Sequence, residues 1–132
     1  MIAVDTSILI AIAACEQDYR SYEAMLATQD FMVGPSVLLE AHMVLRSRKD
    51  VEPHAFVEAV QRLPRCRFVT LEERHFNAAR SAFDRFGKGQ GHKAQLNFGD
   101  CLSYAMAKVA CVPLLFKDED FRHTDIEPAL RT

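Results

Sequence analysis

The sequence predicts an α/β fold in which a mostly parallel sheet of four to five strands is covered by helices on both faces. Short apolar runs alternate with longer helical stretches, and helices placed between strands are typical of parallel sheets. The first run, residues 2–4, is wholly apolar, as is usual for a strand buried on both faces. The chain has 132 residues and shows no linker or repeat, so residues 1–132 are expected to form one domain.

Four short apolar runs are the predicted strands. They occupy residues 2–4, 31–33, 67–71 and 113–116. Gly34 and Pro35 end the second run, because both residues are unfavourable inside a strand. A weaker pattern near the C-terminus predicts a short fifth strand.

Six helices are predicted between and after these strands. Residues 7–15 are apolar on all sides, as a central helix would be. Ser36 is a suitable N-cap for the third helix, and Pro53 suits the first turn of the fourth. Thr70 and Glu73 have the spacing of a capping box at the start of the fifth. The six predicted ranges are 7–15, 18–26, 36–48, 53–63, 72–86 and 97–110.

The composition favours a globular, cytoplasmic protein without a membrane partner. Hydrophobic residues make up 49% of the chain and charged residues 26%, and no apolar run approaches the roughly 20 residues of a membrane helix. The apolar N-terminus lacks the basic leading region of a signal peptide, and Asp5 interrupts it. The net charge of −2 gives no general attraction to nucleic acid, so any RNA contact requires a local basic patch or a bound metal.

The four cysteines show neither a C-x-x-C pair nor metal-ligand spacing, and most lie within apolar or helical patterns. They are expected to be buried free thiols. The five histidines are scattered and form no zinc-binding motif.

Three aspartates are expected at one edge of the sheet. In an open parallel sheet, ligands bind beyond the carboxyl ends of the strands. Asp5 closes the first predicted strand, and Asp118 follows the fourth. Residues 87–97 can span roughly 36 Å when extended, which returns the chain to this edge before the sixth helix. Asn97 and Asp100 then have capping-box spacing, which places Asp100 beside Asp5.

Glu40 is expected in the second turn of the third helix, with Val37 and Val44 at positions i−3 and i+4. A carboxylate is therefore set into an otherwise apolar stripe. Burial of an unpaired carboxylate is strongly unfavourable, so this placement indicates a functional role.

Each of the other acids also has a structural explanation. Asp5 can cap the following helix, Asp100 can interact with a helix dipole, and Asp118 to Asp120 can form a solvated turn. The combination favours function, because close carboxylates raise each other's pKa values unless a cation offsets them. Mg²⁺ accepts carboxylate oxygens and keeps waters and a phosphate oxygen. The acids therefore predict a metal centre that activates water against a phosphodiester.

Several segments resemble those of a known family. Asp5-Thr6-Ser7-Ile8-Leu9 resembles the opening motif of PIN-domain proteins. Residues 96–105, which read Leu-Asn-Phe-Gly-Asp-Cys-Leu-Ser-Tyr-Ala, closely resemble a segment in the second half of VapC-type toxins. The similarity extends to Phe86-Gly87-Lys88-Gly89, Leu114-Leu115-Phe116-Lys117, Asp120-Phe121 and Thr124-Asp125-Ile126. It covers essentially the whole chain, and Asn-Phe-Gly-Asp-Cys is its specific segment.

This resemblance implies a PIN-like three-layer α/β/α fold and an endoribonuclease dependent on Mg²⁺ or Mn²⁺. The implied protein is the toxin of a VapBC toxin–antitoxin pair, a homodimer held inactive by a VapB-type antitoxin, and it hydrolyses RNA by metal-activated water. The catalytic and metal-binding acids of the family fall on Asp5, Glu40 and Asp100, with Ser7 as a supporting hydroxyl. The fourth acid falls on Asp118 by its distance from the fourth strand, with Asp120 as the alternative.

Five basic residues are candidates for contact with an RNA backbone. Lys88 and Lys93 belong to a glycine-rich loop, and Arg46, Arg48 and Lys49 lie at the end of the third predicted helix. The loop does not lead from a strand directly into a helix, so it does not match a dinucleotide-binding motif. A flexible loop is the favoured interpretation.

Two other functions remain open from the sequence. A PIN nuclease that matures RNA would use the same acids, and a neighbouring reading frame for a DNA-binding antitoxin would separate it from a toxin. A catalytically silent module would only bind a partner or an antitoxin, but the retained acids argue against it. A phosphatase that begins with Asp-x-Asp is excluded, because Ser7 stands where the second Asp is required.

Overall fold

The computed structural model of the protein describes residues 1–130. Its strands are β1 (Ile2–Val4), β2 (Phe31–Val33), β3 (Cys66–Phe68) and β4 (Leu114–Leu115). Its helices are α1 (Thr6–Ala13), α2 (Tyr19–Thr28), α3 (Pro35–Arg46), α4 (Pro53–Gln61), α5 (Glu73–Phe86) and α6 (Phe98–Ala110). A 3₁₀ turn follows at Glu119–His123.

The four strands form one parallel sheet in the order β3-β2-β1-β4. The predicted α/β class with a parallel sheet between helices is therefore confirmed. In the described part of the chain the fifth strand reduces to a single bridge between Leu114 and Pro128. The sheet is short, because most strands contain three residues.

Strand β1 lies at the centre of the sheet and fixes the position of Asp5. Ala3 and Val4 are fully buried, and β1 pairs with β2 on one side and β4 on the other. The backbone N–H of Asp5 donates to the carbonyl of Leu115 at 3.0 Å, so the carboxyl ends of β1 and β4 lie side by side. Residues that follow either strand therefore share one crevice.

Two predicted helix caps are wrong. Gly34 is the N-cap of α3 and Pro35 its first residue, in place of Ser36, because proline has no N–H to leave unpaired in a first turn. Glu72, not Thr70, caps α5. The capping box is completed by His75, whose Nδ1 accepts from the Glu72 backbone N–H at 2.9 Å. An imidazole replaces the expected carboxylate of Glu73.

Residues 87–97 were expected to span the distance back to the carboxyl edge of the sheet, and this route is also wrong. The N–H of Lys88 donates to the carbonyl of Leu96, and the N–H of Leu96 donates to the carbonyl of Phe86, both at 2.9 Å. The two ends of the loop therefore adjoin, and the segment forms a closed surface loop between α5 and α6. Asp100 nevertheless reaches the expected edge, because helix packing places the start of α6 there.

The buried state predicted for the cysteines holds for one of them. Cys101 is buried and Cys66 half-buried, but Cys15 and Cys111 are exposed. Both exposed residues have positive φ, 52° and 56°, just beyond the ends of α1 and α6, so the chain has already turned to the surface there. Every helix within residues 1–130 is too short or too polar to cross a lipid bilayer.

Asp125 ties the C-terminal segment to α5 and α6. Its carboxylate accepts a hydrogen bond of 2.6 Å from the buried Tyr104 hydroxyl and pairs with Lys108 at 2.9 Å and Arg85 at 3.3 Å. Partial burial alone would raise the pKa of Asp125, but these partners outweigh it and lower the pKa to about 2. The tie holds the segment that follows the acidic 3₁₀ turn.

Candidate metal centre

Asp5 is held in place by hydrogen bonds from Ser7. The Asp5 carboxylate caps α1, accepting from the Ser7 backbone N–H at 3.0 Å and from the Ser7 hydroxyl at 2.6 Å. The Ser7 oxygen in turn accepts from the backbone N–H of Lys117 at 3.0 Å. Burial raises the pKa of Asp5, the hydroxyls of Ser103 and Ser7 oppose the increase, and the charge of Asp118 adds to it. Ser7 thus links the ends of β1 and β4 at the carboxylate.

Asp100 occupies the first turn of α6 in the capping box predicted from the sequence. Its backbone N–H donates to the Asn97 side chain at 2.9 Å, and its carboxylate accepts from the Asn97 backbone N–H at 3.0 Å. It is 7% exposed. Its pKa is raised to about 7, mainly by burial and further by the charges of Asp5, Asp118 and Glu40, although the hydrogen bond from the Asn97 backbone opposes the increase. Three predicted site residues are therefore close enough to affect its ionisation.

Asp118 and Asp120 both lie near Asp100. One carboxylate oxygen from each of the three residues can be chosen so that all lie within 4.8 Å of one another. Asp118 caps the 3₁₀ turn by accepting from the Asp120 backbone N–H at 3.0 Å. Partial burial raises the pKa of Asp120, and the adjacent Asp118 raises it further. The tight turn brings both candidates for the fourth acid within reach of the same position.

Glu40 reaches the same region from α3 by lying against Gly99. A Cβ atom at position 99 would lie 2.7 Å from Oε1 and 2.8 Å from Oε2 of Glu40, too close unless the Glu40 carboxylate shifts. The carboxylate is half-buried, between the buried Val37 and the partly exposed Val44. The apolar stripe predicted around Glu40 is therefore the border between the core and an open cleft.

The predicted acids line one cleft of about 320 Å³ at the carboxyl ends of β1 and β4. Its lining includes Ser7 and four of the predicted acids, Asp5, Glu40, Asp100 and Asp118. Asp120 is not part of the lining. The remaining lining residues are Thr6, Ile10, Glu16, Val44, Asn97 and Lys117. In the described part of the chain, five carboxylates thus face one basic side chain across this cleft.

The donor set fits a hard divalent cation. Carboxylate oxygens are preferred ligands of Mg²⁺ and Mn²⁺, and the close carboxylates need a positive charge between them. Within residues 1–130, the buried side-chain oxygens that lack a hydrogen-bond partner are those of Thr6 and Ser103. Thr6 lines the cleft, and the Ser103 hydroxyl is near enough to Asp5 to lower its pKa.

A family model for the PIN domain matches residues 2–127. The chain belongs to the PIN-domain family. Its relatives include the ribonuclease VapC28 of Mycobacterium tuberculosis, 43% identical over 131 residues and 96% of each chain. The ribonuclease VapC30 of the same organism is 36% identical, over 93% of this chain and 94% of its own. This PIN domain is therefore of the VapC type, as its motifs implied.

Solved structures share the fold at low sequence identity. The toxin VapC20 of Mycobacterium tuberculosis, described as cleaving the sarcin–ricin loop, superposes with a TM-score of 0.73 at 18% identity, covering 97% of this chain and all of its own. The VapBC2 complex of Rickettsia felis, bound to a DNA fragment from its promoter, gives 0.70 at 17% identity, covering 97% of each chain. Both support the PIN architecture of the sheet and its helices.

The five basic residues predicted to contact RNA lie outside the lining of the acidic cleft of the PIN domain. Lys88 and Lys93 are exposed in the loop after α5, and Arg46 and Lys49 are exposed near the end of α3. Arg48 approaches the rim, 3.8 Å from Glu16. Their contact with RNA stays a prediction.

Two charged lining residues, Lys117 and Glu16, were not among the site residues predicted from the sequence. The position of Lys117, directly before Asp118 at the end of a strand, was a usable signal. Glu16 gave none, because it follows α1 in a polar turn.

The raised pKa of Asp100 predicts a pH-dependent stability of the metal-free protein. The folded state keeps the Asp100 proton up to about pH 7, whereas an unfolded chain releases it near 3.8. Folding therefore binds a proton in this window, and the free energy of unfolding should fall as the pH rises from about 4 to about 7. Urea unfolding in EDTA across this range measures the decrease.

Two controls accompany this measurement. Asp100→Asn should reduce the decrease, whereas Asp84→Asn, an exposed acid on α5, should leave it as in the wild type. Added Mn²⁺ should counteract it, because a metal selects the ionised carboxylates. Identical slopes for the wild type and Asp100→Asn would contradict the assignment of the high pKa to Asp100.

Gly99→Ala should weaken metal binding without preventing folding. The new methyl group would meet the Glu40 carboxylate at 2.7 Å and displace this flexible side chain. Disturbing a group around a metal centre costs about tenfold or more in affinity. Isothermal titration with Mn²⁺ measures the change.

Gly34→Ala is the matched control for this variant, because a methyl group there meets its neighbours at ordinary distances of 3.6 Å or more. It should bind Mn²⁺ like the wild type. If Gly99→Ala also binds Mn²⁺ with unchanged affinity, Glu40 does not take part in metal binding.

Proposed function

We propose that this PIN-domain protein is a Mg²⁺- or Mn²⁺-dependent endoribonuclease, the toxin of a VapBC toxin–antitoxin pair. The observation that carries the proposal is the convergence of four acids on one cleft, in which Asp5 and Asp100 are buried and have raised pKa values. Such a set of carboxylates is unfavourable without a cation. The VapC ribonucleases, which are 43% identical to this chain, support RNA as the substrate. We propose the cytoplasm as the place of action.

The proposed roles follow from the position of each acid. Asp5 and Asp100 would hold the metal directly, Glu40 would hold the metal or one of its waters, and Asp118 would complete the site. Asp118 is preferred to Asp120 because it lines the cleft. When bound, the metal would activate a water for attack on phosphorus and offset charge on the leaving oxygen, which gives 5′-phosphate and 3′-hydroxyl ends.

Hydrogen bonds position the two central carboxylates before any ligand binds. Ser7 donates twice to one oxygen of Asp5, so its other carboxylate oxygen has no hydrogen bond from Ser7. Asn97 donates to one oxygen of Asp100 in the same manner. Fixed carboxylates need little rearrangement on metal binding, so these two partners contribute to affinity through preorganisation.

We propose that the antitoxin binds in an apolar groove separate from the acidic cleft. This groove has a volume of about 650 Å³ and lies between α1, α2 and α4. Leu9, Leu26, Phe56 and Val60 are among its walls, and Ala59 is exposed at its surface. An amphipathic segment of a VapB-type antitoxin would bury its apolar side there. Solved toxin–antitoxin complexes with the same fold support this kind of partner.

We also propose a homodimer, formed through apolar side chains beside the cleft. Leu39 and Met43 on α3 are 60% and 63% exposed, and Phe98 at the start of α6 is 83% exposed. The contact between Glu40 and Gly99 joins these two helices. Large apolar side chains that are this exposed on two helices in contact are typical of a protein–protein interface. A second copy on this face would lie beside each acidic cleft.

The alternative functions differ from the proposal in their partners and in activity. A nuclease of RNA maturation would have the same cleft but no antitoxin. A silent binding module would not need ionisable groups buried against one another. The shared cleft of four acids therefore favours a catalytic protein.

Asp5→Asn should reduce RNA cleavage about a thousandfold or more, because a metal centre contributes several kcal/mol to the transition state. Purified, antitoxin-free protein is incubated with total RNA in Mg²⁺, Mn²⁺ or EDTA, and the product ends are sequenced. Cleavage should require metal and leave 5′-phosphates. Asp84→Asn, an exposed acid outside the cleft, is the control and should cleave normally. A wild type without activity in either metal would favour the silent module, and an active Asp5→Asn would refute the site.

Ala59→Arg should prevent inhibition by the antitoxin and leave RNA cleavage unchanged. A long, charged side chain at this position would occupy the largely apolar groove and lose solvation when an apolar segment covers it, whereas the exposed position tolerates the side chain in the free protein. The variant and the wild type are each co-expressed with the small protein encoded beside the toxin, and their masses are measured by light scattering. The wild type should carry antitoxin, and the variant should have the mass of two toxin chains. A variant that still retains antitoxin would exclude the groove, and a single-chain mass would exclude the homodimer.

A further inference from the structure

Among residues 1–130, Lys117 is the one basic residue in the lining of the acidic cleft. Its neighbours in the lining include the carboxylates of Asp5, Glu16, Glu40, Asp100 and Asp118. An RNA phosphate that approaches this cleft meets repulsion from each of these groups that a metal does not neutralise. The position of the Lys117 ammonium therefore bears directly on how a polyanion could enter.

The backbone of Lys117 is fixed relative to the site. Its N–H donates to the Ser7 oxygen at 3.0 Å, and the Ser7 hydroxyl donates to Asp5 at 2.6 Å. The residue also directly precedes Asp118. Lys117 is thus two hydrogen bonds from Asp5, through Ser7, and one peptide bond from Asp118, so its backbone has a fixed position beside both predicted metal ligands.

The ammonium of Lys117 is paired with Glu16, from the turn after α1. Nζ lies 2.9 Å from Oε1 of Glu16, and the two side chains are 37% and 32% exposed. Arg48 approaches the other oxygen of Glu16 at 3.8 Å. A pair this exposed to solvent is weak, and a phosphate can compete with the carboxylate for the ammonium.

We propose that Lys117 binds a phosphate of the RNA next to the metal centre, and that Glu16 competes with this phosphate by holding the ammonium when RNA is absent. The inference rests on the nuclease function proposed above and adds its substrate-binding residue. When RNA enters, its phosphate must therefore replace the Glu16 carboxylate on the Lys117 ammonium. Removing the Lys117 charge should weaken RNA binding, whereas removing the Glu16 charge should strengthen it.

The binding test uses single-stranded RNA of about ten nucleotides labelled with fluorescein, a length within the usual range of such sites. Anisotropy is measured in Ca²⁺, which also takes carboxylate oxygens, and electrophoresis checks that the RNA stays intact. Lys117→Met should weaken binding about tenfold, as loss of a charged hydrogen bond does. Its salt dependence should decrease by about 0.7 in slope, the value for one phosphate of a single strand. Glu16→Gln should tighten binding about threefold, in line with the weakness of an exposed pair.

Lys108→Met is the matched control. Lys108 also pairs with a carboxylate at 2.9 Å, that of Asp125, and is 45% exposed, but it lies outside the cleft. It should bind RNA like the wild type. Lys117→Arg retains the charge and should retain the salt slope, which separates a role in phosphate binding from a role in folding.

A double-mutant cycle decides whether Glu16 acts through Lys117. In the Lys117→Met background, Glu16→Gln should no longer tighten RNA binding; an equal gain in both backgrounds would mean that Glu16 acts only by general repulsion.

Titration of Mn²⁺ without RNA should give a similar affinity for the wild type and Lys117→Met. A loss of Mn²⁺ binding would assign Lys117 to the metal centre and overturn the proposal. If the wild type binds no RNA, the nuclease function itself fails; if it binds and Lys117→Met binds equally well, only this inference fails.

Discussion

Repulsion between carboxylates in a shared, partly dry cleft is the constraint on which the rest of the site depends. Asp5 is 3% exposed and Asp100 is 7% exposed, and each lies near enough to other acids for their charges to raise its pKa. The surrounding structure limits this cost with short, fixed hydrogen bonds from Ser7 and Asn97. Those bonds leave the remaining carboxylate oxygens for a cation, and this is why the same geometry is unfavourable alone and well suited to a metal.

The supporting structure serves this arrangement at several levels. Parallel pairing of β1 with β4 places Asp5 and the residues after Leu115 at one edge. Gly99 has no side chain, and this allows Glu40 to come from another helix to the start of α6. The tie of Asp125 to α5 and α6 holds the chain beyond the acidic turn. The apolar groove between α1, α2 and α4 is separate from the acidic cleft, because the two share no lining residue.

Much of the fold could be predicted because its signals are local. Apolar runs marked the strands, and the capping box of Asn97 and Asp100 marked the start of α6. Local signals failed where a neighbouring residue could also cap a helix. Glu72 with His75 caps α5 in place of the expected Thr70 with Glu73. The choice between Asp118 and Asp120 stayed open for a related reason. A 3₁₀ turn brings residues two apart to the same side, so both lie close to Asp100.

The sequence by itself determined the α/β class, the parallel sheet and the family, because periodicity and short motifs are properties of consecutive residues. It also predicted that the acids after β1 and β4 lie together, since the carboxyl ends of parallel strands meet at one edge. Only the tertiary structure decided that Glu40 lies against Gly99 and that Lys117 pairs with Glu16 across the cleft. These contacts join residues far apart in the chain, and their geometry depends on how helices pack on the sheet. The acidic cleft could thus be anticipated from local pattern, whereas the contacts of Glu40, Lys117 and Glu16 around it could not.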